Sequence, residues 1–274
     1  VKKYKIDAIL NFGDLIFPVA TPQVYFFDWP YAVYPESLVW KRMGFRSYIQ
    51  RRIKYHLIRA SIHIPKAVIA QTVTIAMRLR KLFGLENIQI VRSPVTLHPK
   101  GYTEKYDFCL PSNKIKLLCL CDFAPHKNVE VLLPLTRILR EKGRQFVIIT
   151  TFNTKSSGPA ANFLDVIHKE GLTPFLINIG PIERALIPYL FDQCDALLFP
   201  TLLETYGLPF VEAMYYGKTI FTSDFDFTSD VCSDAAYYFN PLDHENIFQT
   251  LEMAFRDDET RRKKIEIGAG IVAS

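Results

Sequence analysis

The stretch Phe199-Pro-Thr-Leu-Leu-Glu-Thr-Tyr-Gly-Leu-Pro-Phe-Val-Glu-Ala-Met-Tyr-Tyr-Gly217 decides the fold. An apolar run closes at Phe199, a loop follows, and a helix opens near Leu208. Gly207 permits a tight backbone bend. Pro209 suits the first helical position, where a missing N–H costs nothing. Peptide N–H groups at a helix start lack partners within the helix and sit at the positive end of its dipole, so they form a ready anion site. Glu204 lies in the loop, and Glu212 lies eight positions on, in the helix. A carboxylate accepts hydrogen bonds from hydroxyls. An anion site with one such acid on each side matches a diphosphate flanked by two polyols, the outline of a nucleotide sugar.

Outward from this stretch, the chain alternates strand and helix from about residue 113. Apolar runs predict strands at 115–121, 146–150, 175–179, 196–199, 219–222 and 236–239. Helical spacing falls at 129–141, 159–170, 183–193, 208–216, 243–256 and 258–267, with Gly143, Gly171 and Gly217 as stops. Such alternation predicts a mostly parallel sheet with helices on both faces and ligands beyond the carboxyl ends of the strands. Residues 1–97 are less regular. Short strands are predicted at 8–10, 23–27, 67–69 and 88–91, and helices at 37–60 and 73–83. They read as the latter half of another α/β domain. Pro94, Pro99 and Pro111 punctuate a stretch poor in apolar residues, so 98–112 is expected to be a hinge before a second domain at 113–274.

At 274 residues, 49% hydrophobic and 22% charged, the chain can bury a core, which excludes a disordered protein. No apolar run of the roughly 18 residues needed to span a membrane is present, nor a secretory leader pattern. The first residue is Val1, so a fragment or a trimmed chain is expected. Five cysteines show neither zinc spacing nor a disulfide framework, and a cytoplasmic setting is expected. Cys119 and Cys121 alternate along a predicted strand and are expected on opposite faces.

The net charge of +5 is uneven: 15 basic and 5 acidic residues precede residue 98, and 18 and 23 follow. The basic excess peaks at 41–59, where Lys41, Arg42, Arg46, Arg51, Arg52, Lys54 and Arg59 interleave with Phe45, Tyr48, Ile49, Ile53, Tyr55 and Leu57. This fits a helix on an anionic membrane surface, and equally an amphipathic helix whose basic face is solvated. No nucleic-acid-binding motif accompanies the patch, so nucleic acid is not an expected partner.

Glu204-Thr-Tyr-Gly-Leu-Pro-Phe-Val-Glu212-Ala-Met resembles the E-x7-E signature of retaining GT-B glycosyltransferases of family 4. The resemblance extends through Ile179-Gly-Pro-Ile182, Cys194-Asp-Ala-Leu-Leu-Phe-Pro200, Thr222-Ser-Asp224, Asp234-Ala-Ala236 and Asn240-Pro-Leu-Asp243. Ala124-Pro-His-Lys-Asn128 is similar to the loop that carries the family's phosphate lysine. Together these cover most of 113–256. The resemblance implies a GT-B fold: two Rossmann-like domains facing a cleft, the acceptor-side one, 1–97, incomplete here. It implies that Glu212 binds the donor ribose, Glu204 the transferred sugar, and backbone groups of Thr205, Tyr206, Gly207 and Leu208 the sugar and diphosphate. Lys127 would neutralise the leaving diphosphate, and Ile182 would sit against the base.

The implied activity is retaining transfer of a hexose-type sugar, without metal or other cofactor, from a nucleoside diphosphate sugar to a glycan or lipid-linked acceptor. The setting would be surface polysaccharide synthesis of the O-antigen or capsule type, on the cytosolic face of a membrane. A fixed cation and a helix N-terminus can stabilise the leaving charge.

Two residues depart from the family pattern. Asp122 stands where an arginine often precedes the phosphate lysine, and Phe27, followed by Asp28, stands where a histidine often lies near the acceptor. These departures leave a catalytically degenerate binder of nucleotide sugar or glycan as the alternative. Asp224-Phe-Asp226 imitates a D-x-D metal motif, but its place after the fifth strand of 113–274 makes that coincidental. His63, His98, His168 and His244 match no metal spacing. His126 has no carboxylate paired to it in sequence. Asp28-Trp29-Pro30-Tyr31 fits either a sugar-stacking platform or a structural turn.

Overall fold

A computed structural model describes residues 6–93, 106–142, 145–155 and 157–273. Gly143 and His98, Pro94 and Pro99, and the part of the expected hinge at 98–105 lie outside the described residues. The chain forms two compact units. One comprises the described residues up to 93 together with Leu203–Tyr206; the other comprises those from 106 to 202 and from 207 to 273.

The first unit holds a parallel sheet of four strands in chain order: β1 (Ile9–Asn11), β2 (Gln23–Phe26), β3 (Ala67–Ala70) and β4 (Ile88–Ile90). Its helices are α1 (Val39–Arg42), α2 (Phe45–Ser61) and α3 (Val73–Phe83). The single helix expected at 37–60 is in fact two, because Met43 and Gly44 are extended and break it. α3 has strong local signals. The Thr72 hydroxyl accepts the Ile75 N–H, and Gly84 closes the helix at φ +66°.

The second unit is a six-stranded parallel sheet: β5 (Ile115–Cys119), β6 (Phe146–Thr150), β7 (Leu176–Asn178), β8 (Ala196–Phe199), β9 (Thr219–Ser223) and β10 (Ala236–Phe239). Every residue of β6, β8 and β9 is buried, as all-parallel strands covered on both faces must be. The covering helices are α4 (Leu132–Glu141), α5 (Gly158–Lys169), α6 (Ile187–Gln193), α7 (Leu208–Tyr215), α8 (Asp226–Cys232), α9 (His244–Arg256) and α10 (Asp258–Ala273). The segment before α4, expected to be helical from residue 129, opens as a 3-10 turn over Val129–Val131.

The strand order is β10-β9-β8-β5-β6-β7. The chain winds outward from β5 through β6 to β7, then returns to the other side of β5 as β8. This doubly wound order has its switch point between β5 and β8, where ligands bind in such sheets.

Two expectations fail locally. β5 ends at Cys119, so Cys121 lies beyond the strand, and the two sulfurs are 3.6 Å apart instead of on opposite faces. Residues two apart in extended chain share a face, which the expectation of opposite faces overlooked. No disulfide joins the described cysteines. No described helix is long and apolar enough to cross a membrane.

Candidate functional site

Lys127 and the loop after Phe199 are distant in sequence, yet both follow the switch-point strands. β5 pairs with β8 through Leu117↔Ala196 and Leu118↔Leu197, which brings their carboxyl ends together. Beyond β5, Pro125–Lys127 forms a 3-10 turn. The His126 carbonyl accepts the Leu202 N–H at 2.7 Å and the Thr201 hydroxyl at 3.1 Å. These bonds lock the lysine loop to the segment leaving β8. The Lys127 ammonium lies 4.9 Å from the centre of the Phe199 ring. His126 therefore contributes its backbone to the site.

Asn128 completes that turn and was not singled out by sequence reasoning. It has φ +54°, a left-handed conformation that asparagine tolerates better than most residues. Its buried amide donates to the Pro241 carbonyl at 2.8 Å, joining the turn after β5 to the turn after β10. The Lys-Asn pair thus holds a cation on one residue and the turn's shape on the next.

α7 opens at Gly207, whose φ is +83°. A Cβ there would meet the Phe210 ring at 2.6 Å, so both the backbone and the space demand glycine. Phe210 is fully buried and packs edge-to-face on Phe199, centroids 5.2 Å apart. The helix start is narrower as an anion site than its sequence implied. Pro209 has no N–H, and the Phe210 N–H is bonded to the Gly207 carbonyl at 2.9 Å. Leu208 is half-buried at the first helical position.

Glu212 projects from α7 and is only 6% exposed. Burial pushes its carboxyl up to about 7, and the positive charge of Arg184 opposes that rise. A carboxyl so buried gains from any hydrogen-bond donor that replaces the water it has lost. Arg184 was also missed. Its signal was available, since it is the one basic residue between Lys169 and Lys218. It lies in the 3-10 turn Arg184–Leu186 that follows β7 and Gly180, two residues beyond half-buried Ile182. β7 is the edge strand, so Ile182 starts two strands from β5. The charge of Arg184 at Glu212 shows that this loop reaches toward α7.

Leu203–Tyr206 belongs to the first unit's compact body, although the chain on either side belongs to the second. Glu204 is 9% exposed, Thr205 is buried and Tyr206 is half-buried. The Thr205 hydroxyl donates to the Asp28 carboxylate at 2.5 Å. The Gln71 amide donates to the same carboxylate oxygen at 2.8 Å and to the Thr205 hydroxyl at 3.3 Å. Asp28, at the carboxyl end of β2, and Gln71, just beyond β3, therefore grip the residue next to Glu204.

Asp28-Trp29-Pro30-Tyr31 is a structural turn: the rings of Trp29 and Tyr31 are buried, and Pro30–Ala32 is a 3-10 turn. Phe27 is fully buried. Asp122 is exposed, and Asp226 opens α8 with its carboxylate accepting the Phe227 N–H. No cluster of metal-ligating side chains occurs among the described residues.

The family model described as "Glycosyl transferases group 1" matches residues 104–270. The chain is 26% identical over 161 residues to the serotype-specific mannosyltransferase WbdA of Escherichia coli, an alignment covering 58% of this chain and 19% of WbdA. It thus spans about a fifth of the length of that curated relative. Among solved structures, WaaG, a glycosyltransferase involved in lipopolysaccharide biosynthesis, superposes with a TM-score of 0.71 at 16% identity, covering all of this chain and 75% of WaaG. Anabaena HepE in complex with UDP and glucose superposes with a TM-score of 0.66 at 15% identity, covering 92% of this chain and 67% of HepE. The structural likenesses show the fold, that of GT-B glycosyltransferases with two parallel-sheet α/β units.

Proposed function

Because the chain belongs to the glycosyl transferases group 1 family, we propose that it serves a retaining, metal-independent glycosyltransferase of family 4. In this reading a hexose moves from a nucleoside diphosphate sugar to a glycan or lipid-linked acceptor, in the cytoplasm, during surface polysaccharide synthesis. The observation that carries the reading is the junction of the lysine loop and the β8 exit at the switch point, with a buried acid on the helix that follows. The named activities of WbdA and WaaG support the glycan setting, and the UDP and glucose bound to HepE support the donor class.

Glu212 holds the ribose hydroxyls and Glu204 the hydroxyls of the transferred sugar. Backbone groups of Thr205, Tyr206, Gly207 and Leu208 line the sugar and diphosphate, and Ile182 packs against the base. As the glycosidic bond breaks, negative charge builds on the departing phosphate oxygen. The Lys127 ammonium and the remaining N–H groups at the start of α7 stabilise that charge without a metal. Arg184 is a candidate for the cation missing at Asp122.

The test is release of nucleoside diphosphate from a panel of nucleotide sugars, with donor affinity measured by isothermal titration. Glu212→Ala is expected to weaken donor binding sharply while Lys127→Ala slows turnover; unchanged donor affinity in the first variant refutes the ribose role. A second reading, a donor-binding module without turnover, is favoured by one observation. Phe27, fully buried where the family often has histidine, offers no acid or base. Saturable donor binding with no product across many acceptors would establish it.

A further inference from the structure

We propose that Cys119 and Cys121 are a reversible dithiol pair at the root of the lysine loop, which closes to a disulfide on meeting a peroxide and thereby loosens that loop. Cys119 ends β5, in register with Thr150 of β6. Two residues on, the chain has left the strand, and the Cys121 carbonyl accepts the Thr151 hydroxyl at 3.4 Å. The two sulfurs lie 3.6 Å apart. A disulfide holds its sulfurs about 2 Å apart, so closure asks each of them to move by less than about 1 Å.

The two thiols differ in access. Cys119 is fully buried in the core of the second unit, whereas Cys121 is half-buried and packs against that core from its edge. An oxidant from solvent meets Cys121 first, and Cys119 stands behind it as the resolving thiol. Two other cysteines are poorly placed for such chemistry. Burial pushes the Cys194 thiol up to about 12 and raises that of Cys232 as well, so neither forms the reactive thiolate readily.

The Cys121 thiolate attacks one oxygen of hydrogen peroxide. The O–O bond breaks, the departing hydroxide takes a proton to become water, and Cys121 carries a sulfenic acid. The Cys119 sulfur then attacks the Cys121 sulfur. The S–S bond forms, the S–O bond breaks, and the second hydroxide leaves as water with the Cys119 proton. The two thiols lose two electrons, and the peroxide gains them. Two equivalents of a small thiol reverse the step by exchange through a mixed disulfide. A bridge closing so short a loop removes little entropy from the unfolded chain, so its role is switching and not stapling.

The lysine loop is what the bridge moves. Only residues 122–125 separate Cys121 from His126, whose carbonyl is held by the Thr201 hydroxyl and the Leu202 N–H. Drawing Cys121 back toward β5 pulls on this tether and weakens the hold on Leu202. The pair acts whether or not the chain binds a nucleotide sugar, so its test needs no donor.

The experiment uses the chain with Cys109→Ser, which removes the exposed thiol. The folded protein is treated with hydrogen peroxide, alkylated, digested with trypsin and analysed by mass spectrometry. Cleavage after Lys116 and Lys127 yields one peptide, 117–127, that holds both cysteines. It is expected to be lighter by two hydrogens and unlabelled, and to take both labels after dithiothreitol. The Leu202 amide is expected to exchange its hydrogen about fivefold faster in the oxidised protein, the equivalent of about one net hydrogen bond. Cys119→Ala is expected to stop at a sulfenic acid on Cys121, which dimedone captures. Cys121→Ser is expected to leave Cys119 unoxidised; it changes a half-buried side chain and so stands as the independent variant should Cys119→Ala misfold.

The proposal is overturned if the folded protein ignores peroxide, if either sulfur gains oxygen without the loss of two hydrogens, or if the bridge forms only after urea unfolds the chain. Each of these results makes the pair ordinary core packing. Equal Leu202 exchange in the oxidised and reduced proteins overturns the link to the lysine loop.

Discussion

Helices α2 and α7 both break the rule of apolar inside and charged outside, and they break it in opposite directions. α2 folds arginines and a lysine onto aromatic rings and leaves isoleucine, leucine and phenylalanine in solvent. α7 is buried along its middle, Phe210 to Met214, and includes a carboxylate among those residues. A stretched-out cation with an aliphatic stem can be satisfied by ring faces at modest cost. A buried carboxylate has no such option and must either take a proton or find donors. The contrast is one of cost: α2 leaves hydrocarbon in water, whereas α7 holds a carboxyl whose charge burial disfavours.

The sharpest way to break the comparison is through the packing that makes α7 a buried helix. Phe210→Ala removes a ring that is fully buried, supports the Gly207 bend and packs on Phe199. It is expected to lower unfolding free energy by about 3–5 kcal/mol, read from urea denaturation. A loss below about 1 kcal/mol would mean the bend does not depend on this ring.

Next in size is the acid itself. The carboxyl of Glu212 has an ordinary value of 4.5 and stands at about 7 in the fold. Below 4.5 both folded and unfolded chains hold the proton. Between 4.5 and 7 the folded chain keeps a proton that the unfolded chain releases, so this group makes stability fall as pH rises through that window. Glu212→Gln is expected to remove that slope and to make the ligand-free protein more stable at pH 8. It is also expected to weaken donor binding by about tenfold to a hundredfold, the loss of hydrogen bonds to a charged group. Wild-type donor affinity should strengthen as pH rises through 7, because the charged carboxylate is the stronger acceptor of hydroxyl hydrogen bonds. Arg184→Gln removes the opposing charge and should move that midpoint upward. A donor affinity flat across this range contradicts the assignment.

A smaller effect is expected at Thr205, whose hydroxyl donates to Asp28 beside Glu204. Asp28 is well exposed, so solvent screens the bond, and Thr205→Val is expected to cost only about 1 kcal/mol of stability. If the grip positions Glu204, KM for the donor sugar should change while affinity for the free nucleoside diphosphate does not. Equal changes in both would leave Thr205 a structural residue.

What could be read from the chain followed from how local each signal is. The strands at 146–149 and 196–199 are continuous apolar runs, and the bend at Gly207 is written in one residue. The place of Lys127 just beyond a strand end was legible, because such loops lie at the carboxyl edge of a parallel sheet. Arg184, Asn128 and the Asp28–Gln71–Thr205 cluster were not, since each works through a partner between 28 and 177 residues away. The faces of α2 were also illegible. With cations and hydrocarbons interleaved at every turn, composition cannot say which set turns inward until Trp29, Tyr31 and Trp40 are placed beneath the helix.

That ambiguity yields the smallest and most discriminating expectation. Ile53→Gln replaces a side chain that is 56% exposed, so its effect on unfolding should stay within about 0.5 kcal/mol. Arg52→Ala, one residue away, removes a guanidinium that lies 5.6 Å from the Trp40 ring centre and 5.2 Å from that of Tyr55, and should cost about 0.5–1 kcal/mol. In an ordinary surface helix the isoleucine change would be the costlier of the two. An unfolding series in which glutamine at position 53 destabilises more than alanine at position 52 would show that the exposed Ile53 is part of the core after all.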